Sequence, residues 1–194
     1  MAGTDLVVIG AGPGGYVAAI RAAQLGMKVV IAEKDACGGT CLNYGCIPTK
    51  ALYKNAQVMG YMDHSREFGI EIDGYRLDME QVQARKNKIV KTLTGGVEYL
   101  LKSNKVAIEK GCAKIIKAGL VEVTGKDGTV KRLETKRILI ASGSKSSRLP
   151  IEGMDLEGVI TSKEALDMKT VPEEIVIIGG GVIGIEFAGI YQSF

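Results

Sequence analysis

The 194-residue chain contains no tryptophan, three phenylalanines and a single histidine, His64. Its core must therefore be mainly aliphatic, and aliphatic side chains are plentiful because hydrophobic residues make up 46% of the sequence. The chain also lacks a strong charge of either sign, since 25 basic residues face 22 acidic ones and leave a net charge of +3. This mild balance gives no reason to expect a nucleic-acid partner.

Long apolar runs are missing as well. The longest, residues 175–185, contains four glycines and is far shorter than the ~20 residues that a helix needs to cross a bilayer. Residues 1–9 lack the basic segment and the long apolar segment of an export signal. We therefore expect no membrane partner and a cytoplasmic location.

Residues 5–34 have the pattern of one strand–helix–strand unit. Asp5–Ile9 is a short apolar strand, and Lys28–Ala32 is a second one. Between them, Tyr16–Leu25 is alanine-rich, which suits a helix packed closely on a sheet, and Gly26 is typical of a helix end.

The turn after the first strand has the spacing of a dinucleotide-binding fingerprint. Gly10 permits a tight turn, Gly12 lets the backbone approach a pyrophosphate, and Gly15 lets the helix pack against the strand. The helix N-terminus then offers N–H groups and a positive dipole end to phosphates. Glu33 ends the second strand, where an acid accepts a hydrogen bond from a ribose hydroxyl. The sequence therefore predicts a dinucleotide site.

The rest of the chain changes character twice. Residues 47–102 are mostly helical in pattern, with a break near residues 69–74. Residues 105–140 contain short β runs, two of them separated by the hairpin signal Lys126-Asp127-Gly128. Residues 145–172 have the composition of a connecting segment.

A second glycine turn repeats the form of the first. Ile175–Ile178 is predicted to be a strand, and Gly179–Gly184 opens a new helix with the same GxGxxG spacing. A nucleotide-binding strand–helix–strand unit needs ~30 residues, whereas ten residues follow Gly184. We therefore expect that a second nucleotide fold is begun and not completed, and that the chain is the N-terminal part of a longer protein.

Two cysteines, Cys41 and Cys46, stand five residues apart downstream of the first glycine turn. A close cysteine pair beside a dinucleotide site favours a redox-active disulfide. A metal site that includes Cys37 is an alternative, but the spacing matches no common knuckle and no histidine is near. A pair of inert buried thiols is the other alternative. Cys37 alone suits a small apolar filler, and Cys112 is isolated.

The segment from Gly38 to Lys50 resembles the active-site signature of the pyridine nucleotide–disulfide oxidoreductases. Leu42 and Ile47 favour the branch that serves 2-oxo-acid dehydrogenase and glycine cleavage complexes over glutathione and mercuric reductases. The resemblance covers the entire chain and includes Thr92–Gly96, Ile138–Ser144 and Gly179–Glu186.

The resemblance implies an α/β fold in which a Rossmann-like, three-layer FAD-binding fold carries a β-meander. The implied domains are an incomplete FAD-binding domain over residues 1–145, a connecting segment over residues 146–172, and the first strand and helix of a truncated NAD-binding domain over residues 173–194. The implied cofactors are FAD and NAD, with no metal. The implied partners are lipoyl-domain proteins and, at full length, a second copy of the chain.

The resemblance also implies residue roles. Cys41 is the implied interchange cysteine, Cys46 the flavin-proximal cysteine, Lys50 the cation beside flavin N5, and Glu186 the acid that pairs with this lysine. The implied cofactor-binding residues are Gly10, Gly12, Gly14, Gly15, Glu33, Lys34, Gly39, Thr40, Lys50, Ala113, Ser142, Gly143, Ser144, Gly179, Gly181, Gly184 and Glu186.

The family's catalytic base is a histidine, and His64 stands in the wrong context for it. His64 is expected to be a surface helix residue, so we expect the chain by itself to be inactive. The alternatives are another FAD- and NAD(P)H-dependent disulfide reductase and a non-catalytic FAD-binding product.

Overall fold

The computed structural model describes residues 3–194 as two compact units. The first unit covers the described residues up to Asn43 together with Lys91–Lys145, and the second covers Tyr44–Val90 together with Ser146–Phe194. The division into FAD-binding, connecting and NAD-binding segments stays a prediction.

The first unit contains a six-stranded sheet in the order β3-β2-β1-β6-β5-β4. Strands β3, β2, β1 and the second half of β6 run parallel, whereas β4, β5 and the first half of β6 form an antiparallel meander. The predicted Rossmann-like α/β fold with a β-meander is therefore confirmed. The strands are β1 Thr4–Ile9, β2 Val29–Glu33, β3 Ala107–Lys110, β4 Cys112–Lys117, β5 Leu120–Thr124 and β6 Val130–Ile140.

The long strand β6 joins the parallel sheet to the meander. Residues 130–134 pair antiparallel with β5, and residues 135–140 pair parallel with β1. Apolar side chains from both parts of the sheet then share one core, which includes Val7, Val121 and Leu133. Strands β1 and β2 are nearly continuous apolar runs because both faces of a parallel sheet are covered.

Helices occupy most of the region in which the sequence predicts them. The first begins at Pro13, earlier than expected, because proline suits the first turn of a helix. The predicted break after the third helix is confirmed, whereas β4, the second helix and the short fifth helix were not predicted. The helices are α1 Pro13–Gln24, α2 Gly39–Tyr44, α3 Cys46–Asp63, α4 Met79–Ser103, α5 Ser162–Ala165 and α6 Val182–Ser193, with a 3-10 turn at Ser65–Phe68. Among residues 3–194, no helix combines the length and the apolar character needed to cross a membrane.

The second unit is built around a helical core. Leu52 of α3, Val82 of α4 and Ile190 of α6 are almost fully buried together. Phe187 and Tyr191 stack one helical turn apart, with ring centroids 6.1 Å apart. The apolar face of α6 is therefore covered here by helices.

The predicted strand Ile175–Ile178 is wrong, because this segment has an irregular backbone. A strand requires a neighbour to accept its backbone hydrogen bonds, and all strands among the described residues lie in the first unit. Val176 is 88% exposed as a result.

A buried lysine holds the short helix α5 in the second unit. The Lys86 side chain is only 3% exposed, and its ammonium donates to the Leu166 carbonyl at 2.8 Å and to the Asp167 carboxylate. Gln83 donates to the same Leu166 carbonyl at 3.1 Å. Asp167 is 68% exposed, so the two ends of this ion pair have unequal access to water.

We expect Asp167→Asn to cost more stability than Lys86→Met. The first change leaves a buried ammonium without its counter-charge, for which we expect a loss of about 1–3 kcal/mol. The second removes the buried charge and leaves Asp167 to water and the Leu166 carbonyl to Gln83. Urea denaturation of the two variants measures the difference, and a larger loss for Lys86→Met would contradict this account.

Candidate functional site

The glycine turn of the first unit has a geometry that only glycine allows. Gly10 has φ +100°, and a Cβ on it would lie 2.2 Å from the Ala141 carbonyl oxygen. A Cβ on Gly15 would lie 1.8 Å from the carbonyl oxygen of Gly10. The helix α1 therefore starts in direct contact with the end of β1. By contrast, a Cβ on Gly14 would meet nothing within 4 Å.

This turn lies at the carboxyl ends of adjacent parallel strands. The Gly10 amide donates to the Ala32 carbonyl at 2.8 Å, and the Ala141 amide donates to the Ile9 carbonyl at 2.8 Å. These bonds bring the ends of β1, β2 and β6 together. The exposed residues Ser142, Gly143 and Ser144 follow directly after Ala141, so the structure brings this predicted group next to the glycine turn.

Glu33 is held against the turn by its own carboxylate. One oxygen accepts from the amide of the buried Ala11 at 2.7 Å, and the other accepts from the Asp35 amide at 2.8 Å. The sequence predicts a ribose contact for this acid and does not predict the bond to Ala11. A carboxylate has about four lone-pair positions, so both functions are chemically compatible.

The segment that carries the cysteines is fastened to the glycine turn. The Gly38 amide donates to the Ala11 carbonyl at 2.8 Å. Gly39 has φ +57°, and a Cβ on it would lie 2.6 Å from the Cα of Gly12. Gly38 has φ +96°, and a Cβ on it would lie 2.7 Å from the Cβ of Leu42. Glycine is therefore required at both positions 38 and 39.

Asn43 is a site residue to which sequence reasoning assigned no role. Its side-chain amide donates to the carbonyls of Cys37 and Gly39, at 3.1 and 2.9 Å. These two bonds hold α2 against the loop that precedes it. The position of Asn43 between Cys41 and Cys46 was the one feature of the sequence that could have indicated this role.

The cysteines differ in their exposure to solvent. Cys41 is half-buried on α2, whereas Cys46 is exposed as the first residue of α3. Cys37 is buried, and this burial raises the pKa of its thiol, as expected of an apolar filler. In residues 3–194, no three or more His, Cys, Asp or Glu side chains cluster in a way that could hold a metal ion.

The second unit brings two other predicted residues together. The Lys50 ammonium of α3 lies 3.5 Å from a Glu186 carboxylate oxygen of α6. The lysine side chain is 63% exposed and the glutamate 35% exposed. The pair thus links the helix that starts at Cys46 to the helix that follows the second glycine turn.

The second glycine turn repeats the backbone of the first. Gly179 has φ +109°, close to the +100° of Gly10. Gly181 caps α6 with φ −73° and ψ 171°, and Gly12 caps α1 with φ −72° and ψ −177°. A Cβ on Gly184 would lie 2.5 Å from the Gly179 carbonyl oxygen. The local sequence therefore sets this conformation even without a strand before it.

The remaining predicted residues are placed as follows. Lys34 follows β2 and is exposed, Thr40 is in the first turn of α2, and Ala113 lies on β4 opposite Val123. His64 is at the end of α3, with Nδ1 3.2 Å from a Glu67 carboxylate oxygen. It is a surface residue in the structure, as expected.

The residues around the first turn fit a dinucleotide. The N-cap of α1 is a glycine and no side chain caps the helix. Pro13 has no N–H and the Gly15 amide donates to the Gly12 carbonyl, so the Gly14 amide is the group of the first turn left for an anion. A Cβ on Gly14 would enter the open space beside the turn, whereas Gly10, Gly15 and Gly39 let neighbouring backbone segments approach one another closely. These features define the chain as a Rossmann-type dinucleotide-binding protein with a cysteine segment beside the nucleotide turn.

The chain belongs to the pyridine nucleotide-disulphide oxidoreductase family, whose model matches residues 4–194. Members of this family use FAD and NAD(P). The chain is 48% identical over 192 residues to the mitochondrial dihydrolipoyl dehydrogenase of Dictyostelium discoideum and 46% identical to that of Homo sapiens. These alignments cover 97% of the chain but 39% and 38% of the relatives, so the chain spans about two-fifths of their length.

Solved structures agree with this assignment. The Cu(II) complex of the HOCl-induced flavoprotein disulfide reductase RclA from Escherichia coli has a TM-score of 0.86 at 29% identity. That match covers 100% of this chain and 41% of the other. Another RclA structure has a TM-score of 0.83 and covers 98% of the chain.

The expected cytoplasmic location is wrong. The dihydrolipoyl dehydrogenases that match the chain at 46–48% identity are named as mitochondrial. The absence of an export-signal pattern, on which the expectation rested, does not distinguish the cytoplasm from an organelle.

We expect Glu33→Ala to lower both stability and FAD affinity. The change removes the acceptor of the buried Ala11 amide, and an unsatisfied buried donor costs about 1–3 kcal/mol. The proposed ribose hydrogen bond to FAD is worth a similar amount. Thermal unfolding without nucleotide measures the first effect and FAD titration the second. An unchanged midpoint would contradict the Ala11 contact, and unchanged FAD affinity would contradict the ribose contact.

Proposed function

We propose that the chain provides the FAD-binding and disulfide part of a dihydrolipoyl dehydrogenase. The observation that supports this most strongly is the attachment of the cysteine segment to the nucleotide turn, through Gly38 to Ala11 and Gly39 against Gly12. This attachment places the segment that carries Cys41 next to the proposed dinucleotide site. The identity of 46–48% to dihydrolipoyl dehydrogenases supports the choice of substrate.

In the proposed reaction, dihydrolipoamide loses two electrons and two protons and becomes the cyclic disulfide. The Cys41–Cys46 disulfide accepts the electrons and becomes a dithiol. A substrate thiolate attacks Cys41, and Cys46 leaves as a thiolate. When FAD is bound, it supplies the relay that passes the electron pair from the dithiol to NAD⁺.

Charged residues would support this transfer from the second unit. Lys50 is proposed to stabilise negative charge next to Cys46. The two residues lie four positions apart on the same helix, with Cys46 first. Glu186 is proposed to hold the Lys50 ammonium, to which it lies at 3.5 Å. The second turn, with Gly179, Gly181 and Gly184, is proposed as the phosphate contact for NAD.

The proposed partners follow from the same relatives. We propose that the complete protein is a homodimer that serves the lipoyl-domain proteins of 2-oxo-acid dehydrogenase or glycine cleavage complexes. Its proposed location is the mitochondrion, since the matching dihydrolipoyl dehydrogenases are mitochondrial.

A second candidate is a disulfide reductase that transfers electrons from a pyridine nucleotide to a disulfide. The TM-score of 0.86 to the flavoprotein disulfide reductase RclA supports this second candidate. The two candidates use the same cysteines and differ in the direction of electron flow and in the substrate.

Counting thiols tests the proposed disulfide directly. The chain unfolded without reductant after air oxidation is expected to contain two titratable thiols, Cys37 and Cys112, and four after reduction. Cys112→Ser serves as the matched control and is expected to give one and three. Four thiols in the oxidised wild-type chain would contradict the Cys41–Cys46 pair, provided that no reductant remains in the buffer.

A further inference from the structure

A cavity of about 550 Å³ opens between α3 and the start of α4 within the second unit. Its volume lies within the range of small-molecule sites, about 300–1,000 Å³. The cavity does not include any of the residues discussed above as cysteine, lysine or glycine site residues. It is lined by Lys54, Asn55, Val58, Met59, Met62, Tyr75, Arg76, Leu77, Asp78, Gln81, Val82 and Arg85.

The lining combines an apolar wall with a positive charge excess. Five side chains are aliphatic or methionine, and Met59 and Val82 are less than 10% exposed. Methionine adapts its shape to different apolar ligands. The charged residues are three cations, Lys54, Arg76 and Arg85, against one acid.

That acid, Asp78, is already engaged by the fold. Its carboxylate accepts from the Gln81 amide at 3.1 Å and so caps the start of α4. Asp78 therefore serves the helix start as well as the cavity, and the three cations of the lining outnumber it. An amphipathic ligand that enters the cavity meets an apolar wall and a net positive rim.

Two contacts shape the cavity before any ligand arrives. Arg85 donates through Nη1 to the Ala51 carbonyl and to Asn55 Oδ1, both at 2.8 Å, which leaves the hydrogens of Nε and Nη2 for another acceptor. Tyr75 donates to Asp63 at 2.5 Å and so ties the segment before α4 to the end of α3. The Asp63 contact raises the pKa of Tyr75, so the phenol remains a donor at neutral pH.

We propose that this cavity binds an aliphatic monocarboxylate, with the chain against Met59, Met62 and Val82 and the carboxylate at Arg76 and Arg85. Guanidinium groups bind carboxylates through two parallel hydrogen bonds, which makes such pairs strong and directional. The proposal is independent of the proposed redox function, because it uses none of the same residues.

Calorimetric titration with dodecanoate, below its micelle concentration, tests the proposal on the whole chain. We expect saturable binding of one molecule per chain, and at least tenfold weaker binding of dodecanol and of dodecyltrimethylammonium. Arg76→Gln and Arg85→Gln are each expected to weaken dodecanoate binding roughly tenfold. Val58→Gln is expected to weaken it by disrupting the apolar wall.

Lys114→Gln on β4 is the matched control, since it removes one positive charge from an exposed position outside the cavity. It is expected to change affinity by less than about twofold. Thermal unfolding checks that each variant is folded. If Arg85→Gln does not fold, the dodecanoate affinity of Arg76→Gln tests the proposal.

Three outcomes would overturn the proposal. Equal affinity for the cationic and anionic amphiphiles would mean that charge does not select the ligand. Several weak sites that are insensitive to Arg76→Gln would mean general adsorption to exposed apolar surface. Binding of a glutamate-rich amphipathic peptide without binding of dodecanoate would mean that the occupant is a protein segment.

Discussion

Gly15→Ala is expected to destabilise the chain by about 3 kcal/mol or more, whereas Gly14→Ala, one residue earlier, is expected to leave stability unchanged or raise it. The added methyl on Gly15 would lie 1.8 Å from the Gly10 carbonyl oxygen, a backbone atom that cannot rotate away. Forcing α1 from β1 disrupts close packing at the centre of the first unit. On Gly14 the same methyl meets nothing within 4 Å, and alanine is the better helix former by about 0.5–1 kcal/mol.

Chemical denaturation of the two variants measures this difference, and the pair controls for the intrinsic helix propensity of alanine because both positions lie in the first turn of α1. Similar midpoints would contradict the close helix–strand contact. FAD titration of Gly14→Ala adds a functional readout, since Gly14 borders the open space proposed for the nucleotide. Weaker FAD binding without a loss of stability is the expected result.

A polypeptide of residues 1–194 is expected to show no dihydrolipoamide-dependent formation of NADH, even with added FAD. His64, the single histidine, lies on the surface and pairs with Glu67, so it does not serve as a general base. Loss of a general base typically lowers a rate by 10²–10⁴-fold. In addition, the second glycine turn is preceded by an irregular segment rather than by a strand of a sheet.

NADH absorbance measures turnover, and light scattering is the companion measurement. Val176, Val182 and Ile185 are 88%, 73% and 64% exposed, so we expect the polypeptide to self-associate. Robust turnover from a monodisperse preparation of confirmed mass would contradict both expectations.

Local patterns explain why the first nucleotide turn was predictable. The requirement for glycine at position 15 arises from the carbonyl oxygen of Gly10, five residues away, whereas Gly10 is required both by its φ of +100° and by the distant Ala141 carbonyl. The apolar run of β1 indicates burial on both faces of the strand. The same reasoning holds for the second turn, whose backbone angles match those of the first. It fails for Ile175–Ile178, because the composition of a strand does not supply the neighbour that completes its hydrogen bonds.

The sequence by itself determined the two glycine turns, the helix that follows the cysteine segment and the family to which the chain belongs, because these depend on steric limits and spacings between near neighbours. The tertiary structure decided how β6 divides between the parallel and the antiparallel part of the sheet, that the Glu33 carboxylate accepts from the Ala11 amide, and that Lys86 is buried against α5. It also decided that Lys50 faces Glu186 across 136 positions in the chain and that three cations share one cavity. Such contacts join residues far apart in the chain, and their geometry follows from the packing of whole elements rather than from any local pattern.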